Sequence, residues 1–308
     1  TIARSARYLV SEAQKHKADL YIAHNLGALP AAAKAAKKYG KPCGFDAEDL
    51  HRYEVSDDPG SPDVKLKSSI ENKYIPQVDY MTASSPQIAE AYHKLFPEIV
   101  PVTILNVFPR ETVVTEHKLN SDGPVKLFWF SQTIGTNRGL SDIIGALNLL
   151  KSAAFELHLL GNCTEQVKTE LSAESAFSIH FHQPMHPEAL AKFAAQFDIG
   201  LALEPGFSIN NNLALSNKIF TYLQAGLCVI ASDTEAQRSF METHPAIGQV
   251  YHKGDSNALA EILTRYGQHR DQLLGAQQAA HALAQNTLNW ETEKEKFMAV
   301  IANTLNKP

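Results

Sequence analysis

The chain has 308 residues, room for two domains, and its 44% apolar and 20% charged content is that of an ordinary globular protein. A net charge of -5 and a pI of about 6.2 argue against a general nucleic-acid binder, whose phosphate contacts need a basic footprint. Cys43, Cys163 and Cys228 stand far apart with no CxxC pair, which argues against a disulfide framework or structural zinc and fits a reducing cytoplasmic setting.

No apolar run reaches the length of a spanning helix, and the start carries no signal-peptide pattern. Residues 2–17 predict an amphipathic helix that Thr1 opens in mid-pattern, so upstream sequence is expected. Asp19 to His24 predicts a strand, 28–39 a helix closed by Gly40, and Lys41 to Asp46 a second strand. The acidic stretch 47–61, with Asp57-Asp58-Pro59-Gly60, predicts a loop. A helix at 63–75, a strand at 78–83, a helix from Ser85-Pro86 to 95 and a strand at 101–105 follow. Ser85 is a natural N-cap, and Pro86 suits the first helical position.

Residues 106–124 turn polar and carry Pro109, Gly123 and Pro124, which predicts a linker. The alternation then restarts. Strands are predicted at 125–130, 155–160, 177–182, 198–203 and 227–231, with helices at 140–151, 164–171, 187–196 and 217–225. The tail, about 257–305, reads as helical only. Apolar strands alternating with helices predict parallel sheets covered on both faces, hence two α/β domains. Ligands of such folds bind beyond the carboxyl ends of the strands, so the loops to weigh are 24–28, 46–54, 131–139, 161–163, 183–187 and 204–217.

The loop at 204–217 is long and polar, contains Gly206, and runs into a helix beginning near Asn217. Unpaired N–H groups at a helix start favour phosphate. Lys218 in the first turn opposes the helix dipole, and a bound diphosphate would account for it. By residue type alone it also reads as a solvated lysine on a capped helix. In the loop at 131–139, Gly135 and Gly139 give freedom and Arg138 offers a planar fork for phosphate, or is a plain surface arginine. His24 ends a strand, where a neutral imidazole can meet a substrate hydroxyl or simply be a hydrogen-bonded edge residue. His180, His182 and His186 form an HxHxxxH pattern, but no carboxylate or cysteine lies beside them in sequence, so a metal is not expected. Asp46, Glu48 and Asp49 read as a solvated loop rather than a magnesium site. No GxGxxG, GxxxxGK[ST] or GxSxG occurs, which removes the main support for dinucleotide, P-loop and α/β-hydrolase readings.

Taken in order, these segments resemble glycosyltransferase family 4 and its GT-B relatives. SNKIFTYLQAGLCVIASDTEAQ at 216–237 is similar to the family's nucleotide-binding segment, and WFSQTIGTNRGL at 129–140 resembles the first strand-loop-helix of its donor domain. FELHLLGN at 155–162 and FDIGLALEP at 197–205 resemble its middle strands. ADLYIAHN at 18–25, GFDAEDL at 44–50, the stretch 70–92 and ILNVFPR at 104–110 resemble the second half of the acceptor domain. LNWETEKEKF at 288–297 looks like the tail helix that crosses back to it.

The resemblance implies an α/β GT-B fold of two Rossmann-like domains facing a cleft, the N-terminal one incomplete. Residues 1–110 would be the second half of the acceptor-side domain, 111–287 the donor-binding domain and 288–308 the returning helix. It implies a retaining glycosyltransferase that needs neither metal nor cofactor and uses a nucleotide-diphosphate sugar as donor. The acceptor would be a glycan, a lipid-linked or a small molecule, as in polysaccharide biosynthesis, with no nucleic-acid partner. The setting would be cytoplasmic, with room for peripheral contact at the inner face of the membrane. By position Arg138 matches the basic residue on the diphosphate, with Gly135 in the same loop. Ser216, Asn217 and Lys218 match the phosphate-facing helix start, and His24 the histidine near the transferred sugar.

Two departures stand out. The family's paired glutamates, eight positions apart, fall at Leu213 and Thr221, which leaves ribose binding to Glu204 or Thr221. Gln132 stands where an arginine is usual, so one positive charge is missing. A nucleotide-sugar epimerase using Glu48 or Asp49, and a non-catalytic nucleotide-sugar-binding subunit, are the rival readings. With too few strand patterns before the linker for a full sheet, residues 1–308 alone are expected to bind nucleotide but transfer sugar poorly until an upstream segment is restored.

Overall fold

The computed structural model describes residues 5–110, 123–135, 138–151 and 154–306. Most of the expected linker, the expected boundary after 110, and Thr136 and Asn137 of the 131–139 loop lie outside the described residues. The chain divides into two compact units. The first comprises Thr1–Asn106, Gly206–Leu215 and Glu293–Pro308, and the second Val107–Pro205 and Ser216–Thr292.

In the first unit β1 (Tyr21–His24), β2 (Cys43–Ala47), β3 (Tyr80–Ala83) and β4 (Val102–Thr103) lie side by side in that order, all parallel. Helices Leu29–Tyr39, Pro62–Tyr74 and Pro86–Leu95 supply the crossovers. The last starts as its sequence asks: the Ser85 side chain accepts from the Ile88 N–H, and Pro86 sits in the first turn. Phe45, Met81, Ile88, Tyr92 and Leu29 make the core on which these elements close.

The second unit holds β5 (Val125–Thr133), β6 (Phe155–Asn162), β7 (Ile179–His182), β8 (Ile199–Ala202), β9 (Cys228–Ser232) and β10 (Gly248–Tyr251). Their order across the sheet is β10-β9-β8-β5-β6-β7, and every pair is parallel. This is the doubly wound Rossmann order, with the winding reversing between β5 and β8. Leu127, Trp129, Leu157, Leu159, Leu201 and Ile230 are fully buried, as strands covered on both faces require.

Three elements differ from the sequence reading. Residues 232–256 carry a helix, Glu235–Thr243, and β10, where no element was expected. β10 reads GQVY, too short and polar to register as a buried strand. A Cβ at Gly248 would stand 1.8 Å from the Val229 carbonyl oxygen, so this close pairing demands glycine. The loop expected at 204–217 contains a short helix, Ile209–Leu213, and Gly206–Leu215 packs into the first unit. There the Asn210 side chain accepts from the Leu50 N–H at 2.7 Å and donates to Asp49 at 2.8 Å. Ser85 Oγ donates to the Leu213 carbonyl at 2.7 Å. Asp49, read from sequence as part of a solvated loop, is thus half-buried with its carboxylate accepting from Asn210. No helix among the described residues is long and apolar enough to cross a membrane.

Candidate functional site

The strand order reverses between β5 and β8, and doubly wound sheets take ligands at the carboxyl ends of the strands beside such a reversal. Glu204 follows β8 and is fixed through its backbone. Its N–H donates to Ser232 Oγ at 2.9 Å, and its carbonyl accepts from the same hydroxyl at 2.7 Å. Gln237, fully buried, donates its amide to the Ala202 and Ser232 carbonyls at 3.1 and 2.9 Å. Sequence reasoning missed Ser232 and Gln237 as supports. Their only signal is polarity at the end of an apolar strand and in the helix that follows.

Ser216 is the N-cap of helix Asn217–Ala225, yet its side chain makes no cap hydrogen bond. Its hydroxyl donates instead to Glu204 Oε1 at 2.8 Å, and Lys218 Nζ donates to the same oxygen at 2.6 Å. The helix start is thus left without a side-chain cap, and its first N–H groups remain open to an anion. Lys218 against the dipole has its account here in Glu204, with both side chains about 15% exposed. The ammonium also stands 5.8 Å from the centre of the Trp129 ring, whose buried Nε1 has no partner among the described residues. Thr221, one turn on, is only 3% exposed.

The loop after β5 lies against the same strand end. Gly139 has φ +75°, and a Cβ there would meet the Leu203 carbonyl oxygen at 2.6 Å, so only glycine lets the loop approach. Arg138 is exposed, with no ion pair to the described residues. The Gln132 side chain is exposed while its carbonyl accepts from Asn162 at 3.0 Å. No atom of the described residues lies within 4 Å of a Cβ built on Gly135. Asp142, in the following helix, accepts from Tyr251 at 2.8 Å and from the Gly254 N–H at 2.9 Å, which ties down the loop after β10.

His24 belongs to the first unit. Parallel register sets His24 beside Asp46, and Asp46 beside Thr82. His24 Nδ1 is 2.7 Å from Asp46 Oδ2, and Thr82 donates to the other oxygen of that carboxylate at 2.7 Å. His24 Nε2 lies 3.2 Å from Glu48, while the ring stays 64% exposed. Asp46 and Glu48 therefore orient a histidine; the sequence had read them as a solvated loop.

The histidine pattern also needs correction. Register sets His158 of β6 beside His180, and the ligand atoms of Glu156, His158 and His180 lie within 4.8 Å of one another, so a carboxylate is present after all. Burial pushes His158 down to about 4, against the hydrogen bond that its Nε2 donates to the Glu156 carboxylate, and His180 and His182 add to the lowering. His186 stands apart and faces Glu188 at 3.7 Å.

Comparison with curated proteins gives no match. Among solved structures, HepE of Anabaena in complex with UDP and glucose superposes with a TM-score of 0.76 at 17% identity, over 98% of this chain and 82% of that one. TarM of S. aureus, in complex with fondaparinux, α-GlcNAc-glycerol and UDP, gives 0.76 at 14% identity over 98% and 59%. Sucrose-phosphate synthase of Thermosynechococcus elongatus gives 0.75 at 15% over 97% and 76%. At such identities the likeness shows the fold, GT-B, with two Rossmann-like units. The family model described as glycosyl transferase-like matches residues 142–299, more than half of the chain and most of the second unit, including Glu204, Ser216, Lys218 and Ser232. The chain therefore belongs to the glycosyl transferase-like family and is a glycosyltransferase.

Proposed function

We propose that this glycosyltransferase takes its sugar from a uridine-diphosphate sugar, retains the anomeric configuration and needs no metal. The observation that carries the reading is the uncapped start of helix Asn217–Ala225, at the reversal between β5 and β8, with Lys218 in its first turn. The UDP in the complexes of HepE and TarM supports uridine as the base.

In this reading the diphosphate accepts from the N–H groups of Asn217 and Lys218. The Lys218 ammonium turns from Glu204 toward it, and Arg138 adds a second cation. Gln132 contributes a neutral donor, and Gly135 lets the backbone come close. Glu204 accepts from the ribose hydroxyls, a task that suits it better than the buried Thr221. As the bond from the anomeric carbon to phosphate breaks, negative charge grows on the leaving diphosphate, and these fixed donors hold it. The acceptor oxygen forms the new bond to the anomeric carbon as the bond to phosphate breaks, its proton passes to the leaving diphosphate, and UDP leaves. His24, oriented by Asp46, is the first unit's proposed contribution to turnover. The acceptor class is a glycan, a lipid-linked or a small molecule, and the setting is cytoplasmic.

The test is a thermal-shift series with UDP, GDP and ADP, followed by mass spectrometry of UDP-sugar incubations with and without acceptors and EDTA. UDP should stabilise most, and transfer should persist in EDTA. A sugar interconverted without any acceptor would favour the epimerase reading instead. UDP binding without either reaction would favour a non-catalytic subunit.

A further inference from the structure

β6 and β7 run parallel with His158 opposite His180 and Leu160 opposite His182. Residues two apart on a strand share a face, so Glu156, His158, His180 and His182 stand together, opposite the core residues Leu157 and Leu159. The His158 and His180 rings stack at 4.5 Å and 15°. Glu156 Oε2 is 3.4 Å from His158 Nε2, and the ligand atoms of Glu156, His158 and His180 all lie within 4.8 Å of one another. Bonds of about 2.0–2.1 Å at tetrahedral angles put neighbouring zinc ligands roughly 3.4 Å apart. The carboxylate and the first imidazole therefore already stand at ligand spacing. A small turn of the exposed His180 ring brings in the third.

His158 Nδ1, the nitrogen away from Glu156, is 3.0 Å from His182 Nε2. A metal-bound imidazole commonly donates its other N–H to such an acceptor, which fixes tautomer and ring plane. Phe193 and Phe197 pack against the His182 and His158 rings at 5.1 and 4.8 Å and hold them in place.

We propose that Glu156, His158 and His180 bind one divalent cation of the zinc class, with His182 orienting His158 and water in the fourth position. One carboxylate and two imidazoles suit zinc, nickel or cobalt over calcium or magnesium. The ion would clasp the edge strand β7 to β6. The other such cluster among the described residues, Asp49, His51 and Glu54, does not qualify. Its carboxylates are already taken by Asn210 and Lys67, and His51 is 1% exposed.

The test uses the whole chain, stripped with EDTA, dialysed, and titrated with ZnCl2 in a calorimeter. Bound zinc is counted after gel filtration. One equivalent is expected. His180→Ala changes an exposed ring and should weaken binding about tenfold or more, as should Glu156→Gln. His186→Ala should leave binding unchanged. Cobalt(II) should give visible d–d absorption with the parent chain and lose it with His180→Ala. Absence of zinc binding, or full binding retained by both His180→Ala and Glu156→Gln, overturns the proposal.

Discussion

Lys218 and Glu204 are fourteen positions apart, and nothing in the sequence links them. The lysine drew notice for its place against the helix dipole; its partner emerges only when β8 ends beside the helix start. Lys218→Ala and Arg138→Ala should each weaken UDP more than uridine. Charged hydrogen bonds of this kind are worth about 1.5–3 kcal/mol, a tenfold to hundredfold loss by calorimetry. Equal losses on both ligands would remove the phosphate assignment. In a complete enzyme, His24→Ala should lower turnover while leaving UDP affinity near its parent value, and full turnover would make the histidine structural. Glu54 gives a pH effect in the first unit. Burial raises its carboxyl, but hydrogen bonds from His51 and from Lys67, at 2.8 Å, outweigh this and hold it below the ordinary 4.5. A depressed folded value means the stabilisation is present above the ordinary value and lost as pH falls through the folded one. The urea midpoint should therefore drop as pH falls below the ordinary 4.5, and Glu54→Gln should flatten that drop.

Elements were legible where burial left an unambiguous trace. LCVIA is a continuous apolar run because its strand is covered on both faces, and VKLFWF and FELHLL are apolar but for Lys126 and for Glu156 and His158. β10 and helix Ile209–Leu213 left no such trace, the first being short and half polar, the second mostly asparagine. The candidate site was legible as loops, since carboxyl ends of parallel strands are where ligands go. Its supports were not. The Thr82–Asp46–His24 row and the histidine cluster depend on register, which sequence spacing does not encode. Asn210→Ala tests the asparagine helix directly. It leaves the Leu50 N–H without its acceptor, and a buried unsatisfied group costs about 1–3 kcal/mol. Thermal unfolding should shift down accordingly. An unchanged midpoint would show that Gly206–Leu215 contributes little to the first unit.

At the scale of the whole molecule, the first unit is built from three separate stretches of chain and the second from two. Residues 1–110 expressed alone lack Asn210, which caps Leu50 and Asp49, and Glu293, which accepts from the Leu105 N–H at 3.2 Å. That fragment should show no cooperative unfolding transition by circular dichroism. A sharp transition would mean that the two later stretches are dispensable.

The discontinuity also sets an order of events during synthesis. Chains emerge from the ribosome at about 5–20 residues per second, and domains generally fold as units once complete. The second unit can close when Thr292 has emerged, but the first still needs Glu293–Pro308. Of the two units, the one whose strands are made first is finished second. For about 10–40 s, the time needed to add the residues from 107 to 308 at that rate, its parallel strands wait for the last of their covers. Slowing translation after residue 110 should therefore lengthen exposure of this nascent half to chaperones and proteases.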